Sequence, residues 1–120
     1  MRIDDTRPIW IQLADSFRAR ITDGTWKPGQ KIPSVRDLAI EAGTNPNTVQ
    51  RALAALDDEG LTVSKRTAGR FVATDDTALN ALRQEGARAA ADAFISACRA
   101  LGVDVEGAHG LVDERWNADL

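Results

Sequence analysis

The sequence is poor in residues that build covalent or metal frameworks. Its 120 residues include one cysteine, Cys98, and one histidine, His109. A single cysteine excludes an internal disulfide framework. One histidine among scattered acids leaves zinc without a ligand set. No nucleophile–base pair or paired carboxylates accompany them, so no enzyme chemistry is indicated. Both residues are read as structural or incidental, Cys98 as a small buried hydrophobe. Apolar runs extend only a few residues, far short of the ~20 that a membrane-spanning helix requires. The start, Met1-Arg2-Ile3-Asp4-Asp5, lacks the apolar segment of a signal peptide. A cytoplasmic location, no membrane partner and no cofactor are therefore expected.

An excess of positive charge is also missing. The net charge is -3 and the pI about 5.1, which taken whole argues against a nucleic-acid binder. The distribution weakens that objection. Residues 1–77 carry 11 Lys/Arg against 11 Asp/Glu, and residues 78–120 carry 4 against 7. Between residues 24 and 73 there are 7 cations against 5 acids, with Lys65, Arg66 and Arg70 close together. With 43% hydrophobic and 28% charged residues the composition is that of an ordinary globular protein.

The chain is organised around residues 45–60. Asn45 is a suitable N-cap, Pro46 fits the first helical position, and Gly60 fits a left-handed stop. Val49, Ala52, Leu53 and Leu56 recur at i, i+3, i+4 and i+7, a core-facing stripe. Asn47, Thr48, Gln50 and Arg51 occupy the other face of the first turns. Amides can pair bidentately with adenine and arginine with guanine. A helix that presents its N-terminal polar residues in this way suits a major groove. The alternative is a solvated polar face, common to amphipathic helices.

The neighbouring segments supply context. Trp10, Leu13, Ala14, Phe17 and Ile21 form an apolar stripe on a helix expected from Pro8 to Gly24. Residues 1–6 form a short arm. Residues 24–33 are a loop of breakers, without the spacing of a phosphate-binding P-loop, with Ile32 as a short strand element. Ser34 opens a helix whose start, Ser34-Val35-Arg36-Asp37, is similar to a capping box. Val35, Leu38, Ala39 and Ala42 face inward, and Gly43 ends it shortly before Asn45. Two short helices joined by a tight Gly-containing turn make a helix-turn-helix. Arg36, in the first turn, can reach DNA or pair with a nearby acid. Two runs of β-formers then flank the polar loop Lys65–Gly69, a hairpin with Lys65, Arg66 and Arg70 at or near its tip. Beside a helix-turn-helix this reads as a wing on phosphates or in the minor groove.

Taken together, Trp-Lys-Pro-Gly-Gln-Lys-Ile-Pro-Ser-Val-Arg-Asp-Leu-Ala (26–39), Asn-Pro-Asn-Thr-Val-Gln-Arg-Ala (45–52), Glu-Gly-Leu (59–61) and the hairpin resemble the GntR family of bacterial transcription regulators. The likeness covers roughly residues 8–73. It implies a winged helix-turn-helix dimer that usually represses. The Asn-Pro-Asn-Thr-Val form and the short tail resemble the YtrA-like subfamily more narrowly. By position, the resemblance places Arg36, the 45–48 turn with Asn45, Asn47 and Thr48, Gln50, Arg51 and the wing around Gly69 at DNA; Ser34 and the basic residues Lys65, Arg66 and Arg70 complete the expected contacts. Many relatives carry arginine where Gln50 stands, so this contact departs from the family pattern.

The tail, residues 75–120, completes the expectation. A helix capped by Asp75 or Asp76 runs to about Leu101, ~37–40 Å at 1.5 Å per residue. A weaker helix follows from Val105 to Asn117, with Gly107 and Gly110 each lowering propensity by ~1 kcal/mol. Two helices leave little room for an enclosed ligand cavity, and an effector is not identified. They suit a two-fold interface, with Leu79, Leu82, Ala90, Phe94, Leu101, Leu111 and Trp116 as dimerisation residues. The alternative is a helix folded back on its own domain. The resemblance likewise implies a helical dimerisation region without a larger effector domain.

The expected fold class is α+β: a winged helix-turn-helix DNA-binding domain over residues 1–74, then a two-helix C-terminal dimerisation region over 75–120. The expected function is sequence-specific regulation, by repression, of a homodimer on a palindromic operator of double-stranded DNA. The alternative is a winged-helix protein-interaction adaptor without DNA binding, which the acidic pI favours.

Overall fold

The computed structural model describes residues 3–120, and the helix-turn-helix emerges at the expected places. The elements run α1 (Ile9–Thr22), α2 (Val35–Ala42), α3 (Pro46–Asp58), β1 (Thr62–Lys65), β2 (Gly69–Val72), α4 (Thr77–Ala100) and α5 (Val105–Arg115). They form two compact units, one ending at Ala81 and one of Leu82–Leu120. No helix among the described residues is long and apolar enough to cross a membrane.

Local chemistry sets the ends of the central helices. The Ser34 hydroxyl accepts the Asp37 amide at 3.1 Å, and the Asn45 side chain accepts the Asn47 amide at 2.8 Å. Each cap satisfies an amide that has no partner inside its helix. Gly43 takes φ +64, and the Thr44 amide then reaches back to the Ala39 carbonyl at 3.0 Å. This left-handed residue lets two helices follow each other with only Thr44 and Asn45 between Gly43 and Pro46.

The core of the first unit is the stripe of α3 against that of α1. Leu13, Phe17, Val49, Ala52, Leu53 and Leu56 are buried, joined by Leu38 and Ala39 of α2. Trp26 closes one end, its ring 5.5 Å from that of Phe17. Burying each large side chain contributes ~1.5–3 kcal/mol. Trp10 is only half-buried, so the expected stripe of α1 fades at its first turn. The expected arm is described from Ile3 onward, Met1 and Arg2 lying outside the described residues. Gln12 ties it down, its amide donating to the carbonyls of Asp4 at 2.7 Å and Arg7 at 2.8 Å.

β1 and β2 pair antiparallel, with Thr62 opposite Val72 and Lys65 opposite Gly69. The loop before α2 adds a third rung. Lys31 bridges Phe71, the Val72 amide donates to Gln30, and the Ile32 amide donates to Arg70. The strand element expected at Ile32 is thus centred one residue earlier, because Ile32 points into the core at 3% exposure.

Leu79 requires a correction. Expected on a dimer face, it is buried in the winged-helix unit, beside Ile21, Leu61 and Val72. Periodicity puts it on the same helical stripe as the tail residues, yet the first turn of α4 is needed to cover this core. The compact unit accordingly continues past residue 74 to Ala81. A fragment ending at Thr74 should be less stable than one ending at Ala81 by ~1.5–3 kcal/mol, the value of one buried leucine. Urea denaturation of both fragments checks this, and equal midpoints would remove Leu79 from the core.

In the second unit the later turns of α4 pair with α5. Gly102 turns the chain at φ +76, and Asp104 caps α5 by accepting the Gly107 amide at 2.9 Å. A Cβ on Gly107 would lie 2.9 Å from Val103, so this glycine gives close packing in return for its low propensity. Cys98 and Ala108 are buried between the helices. An apolar groove of about 430 Å³ remains there, lined by Phe94, Ile95, Cys98, Val103 and Val112. Leu101 and Trp116 are 80% and 78% exposed, while Val105, Leu111 and Val112 are also open to solvent.

Candidate nucleic-acid interface

The first turn of α3 presents what its N-cap and proline expose. Asn45, Asn47 and Gln50 are exposed, and Thr48 is half-buried. Arg51 is exposed as well, but its guanidinium has a seat. It lies over the Trp10 indole at 4.4 Å from the ring centre, a cation–π contact worth ~0.5–1 kcal/mol at such a site. Trp10 therefore supports a candidate base-reading residue, a role that its place on an apolar stripe did not reveal.

On α2, Ser34 uses its hydroxyl as the cap and Arg36 stands exposed in the first turn. The expected alternative for Arg36, an ion pair with a nearby acid, does not form among the described residues. On the wing, Lys65 sits 4.7 Å over the Phe71 ring, and Arg66 is exposed at the tip. Gly69 adopts φ +115, a backbone open to glycine and rarely to other residues. Ser34, Lys65, Gly69 and Arg70 meet along one groove of about 540 Å³ between the wing and the start of α2. Lys31 lines the same groove. It was visible in the Pro-Gly-Gln-Lys-Ile-Pro segment, but only the third rung of the sheet brings it to the wing.

Arg70 departs from its expected place at DNA. Its guanidinium holds the Asp57 carboxylate, Nη2 at 2.9 Å and Nε at 3.1 Å. Thr62 donates a short hydrogen bond to the same carboxylate, and Ser64 donates another at 3.0 Å. Burial pushes the Asp57 carboxyl up. The hydrogen bonds from Arg70 and Thr62, with the charge of Arg70, outweigh that and hold it below the ordinary carboxylate range. Arg70 thus fastens the wing to the end of α3.

The same pairing disposes of other acids. Glu59 accepts a two-pronged contact from Arg18, 2.6 and 2.8 Å, and Glu41 is paired with Arg20. Three of the five acids between residues 24 and 73 are therefore neutralised by arginines, two of which come from α1. Among the described residues, Lys31, Arg36, Arg51, Lys65 and Arg66 belong to no ion pair. Apart from Arg70, these cations of the helix-turn-helix and wing stay outside ion pairs, while Glu41, Asp57 and Glu59 are held by arginines.

Residues 11–72 match the family described as bacterial regulatory proteins, gntR family. The chain belongs to the gntR family. It is 30% identical over 105 residues to the uncharacterized HTH-type transcriptional regulator YhcF of Bacillus subtilis, covering 88% of this chain and 87% of that protein. It is 38% identical over 65 residues to the HTH-type transcriptional repressor YtrA of Bacillus subtilis, 54% of this chain and 50% of the relative. Among solved structures, a GntR family transcriptional regulator from Listeria monocytogenes superposes with TM-score 0.79 at 31% identity, covering 93% of this chain and 98% of the other. The AraR DNA-binding domain in complex with operator ORX1 superposes with TM-score 0.57 at 27% identity, over 61% of this chain and 93% of that one. The α+β winged-helix fold and the likeness to YtrA-type regulators agree with the sequence expectation. These relatives are transcriptional regulators and not enzymes.

Proposed function

We propose that this gntR-family chain is a homodimeric repressor that reads a palindromic operator. The observation that carries the reading is the segregation of charge in the winged-helix unit. Lys31, Arg36, Arg51, Lys65 and Arg66 stay outside ion pairs, while Glu41, Asp57 and Glu59 are held by arginines. A chain of net charge -3 can approach phosphates if its local field at the binding face is positive. In this reading α3 lies in the major groove, Asn47, Gln50 and Arg51 face base edges, and Lys65 and Arg66 touch the backbone. Two-fold pairing spaces the half-sites by about one turn, ~34–36 Å, or a multiple of it. Repression is supported by the name of YtrA.

Fluorescence anisotropy on the protein's own upstream DNA, against a scrambled duplex at two salt concentrations, tests the reading. Tighter binding to the upstream DNA at both salts is the expected result. Failure to bind either duplex would move the reading to a winged-helix adaptor for proteins.

Arg51→Ala should cost ~1–3 kcal/mol on the operator and less on random DNA, if Arg51 reads a base. Trp10→Ala should reproduce part of this loss by releasing the guanidinium. Equal weakening on both duplexes would reduce Arg51 to a phosphate contact.

A further inference from the structure

The groove between the wing and α2 is lined by two lysines. Lys65 pairs directly across the hairpin from Gly69. Lys31 reaches the same level from the other side, because its backbone bridges Phe71, two residues along β2. The Lys31 stem crosses Gly69 so closely that a Cβ there would lie 2.8 Å from Lys31 Cε and 3.6 Å from Nζ. Both lysines line the groove, whose lining includes no carboxylate. Lys65 is further steadied on the Phe71 ring. Two lysine charges lining one groove without an acid repel each other, and a phosphate between them would relieve that repulsion.

We propose that Lys31 and Lys65 grip one backbone phosphate of bound DNA between them, in a cradle that the bare Cα of residue 69 leaves open. Lys31 is then a contact for affinity and register, and carries no base preference. This inference rests on the DNA-binding reading. It adds to it a residue outside the two helices and the hairpin. Gly69 then acts in two ways. Its positive φ shapes the wing, and its bare Cα lets the Lys31 stem pass.

Anisotropy titrations of the full chain on the upstream and scrambled duplexes, over a series of salt concentrations, test the cradle. Lys31→Met keeps the apolar stem and removes the charge. It should weaken both duplexes by the same factor, roughly tenfold at low salt, and flatten the plot of log K against log salt by part of the ~0.9 due to one phosphate, since Lys65 still meets it. Lys31→Arg should restore the slope. Gly69→Ala should shift the far end of Lys31 and, through its positive φ, strain the wing that carries Lys65, weakening both duplexes. A thermal melt of each variant separates this from a loosened wing, and Lys31→Met, on an exposed side chain, should melt with the wild type. If the wild type binds but Lys31→Met leaves the slope unchanged, the cradle is wrong and the DNA-binding reading stands. If the wild type binds neither duplex, both fall together.

Discussion

In the homodimer proposed above, replacing Leu101 and Trp116 together by aspartate should separate the protomers and weaken operator binding by about 10²–10⁴-fold. Both side chains are largely exposed in the second unit, at 80% and 78%. A leucine and a tryptophan at such exposure do little for the isolated chain, and their loss should cost the folded monomer no more than ~0.5 kcal/mol. In a two-fold interface every residue counts twice. At ~1.5–3 kcal/mol for each large apolar side chain buried, four lost side chains and four added charges exceed what a micromolar dimer can absorb. The effect on DNA follows from linkage. Two recognition helices on one dimer bind a palindrome with the effective concentration of the second site, which a monomer forfeits. Light scattering after gel filtration reports the mass, and anisotropy reports the affinity. A variant that stays dimeric would place the interface elsewhere, and a wild type that is already monomeric would end the homodimer reading. Loss of the dimer with full operator affinity would show that each half-site is read alone.

The elements that could be read from the sequence are those whose causes are local. The start and stop of α3 lie in Asn45, Pro46 and Gly60, and its buried stripe lies in four residues at helical spacing. The turn at Gly43 and the hairpin around Gly69 are also decided within a few residues. What escaped the sequence was pairing over distance. Arg51 meets Trp10 across 41 positions, Arg18 meets Glu59 across 41, and Lys31 reaches Gly69 across 38. Periodicity can say that Leu79 and Leu82 share a stripe. It cannot say that the first packs back on Leu61 and Val72 while the second belongs to the next unit. The three acids ending α3 show the same limit. Their distance from the helix start explained why they need not meet phosphates. That Asp57 would organise the wing, and Glu59 hold α1, depended on residues far along the chain.

Asp57→Ala should destabilise the winged-helix unit by about 2–4 kcal/mol and reduce DNA affinity through the wing. The carboxylate joins three side chains of the hairpin to the end of α3: Thr62, Ser64 and Arg70. A hydrogen bond to a charged group is worth ~1.5–3 kcal/mol, and a buried hydroxyl left without a partner costs ~1–3 kcal/mol. Thr62 is 3% exposed, so its hydroxyl would be such a group. Arg70 is less enclosed and can turn to water, which keeps the total below the sum of the separate contacts. The sign of the pH dependence follows from the direction of the shift. The folded carboxyl is held below its ordinary value. Its contribution is therefore complete above the unfolded value, about 3.9, and is lost as pH falls through the lower folded value. Denaturation of the wild type and Asp57→Asn across this acid range should show a gap that is widest at neutral pH and closes as Asp57 is protonated. A constant gap would mean that the carboxylate charge contributes nothing to the wing. A wing freed from α3 no longer holds Lys65 and Gly69 in one place, so Asp57→Ala should weaken operator and random DNA alike, while Arg51→Ala discriminates between them. That contrast separates the residue that positions the backbone contacts from the residue proposed to read the bases.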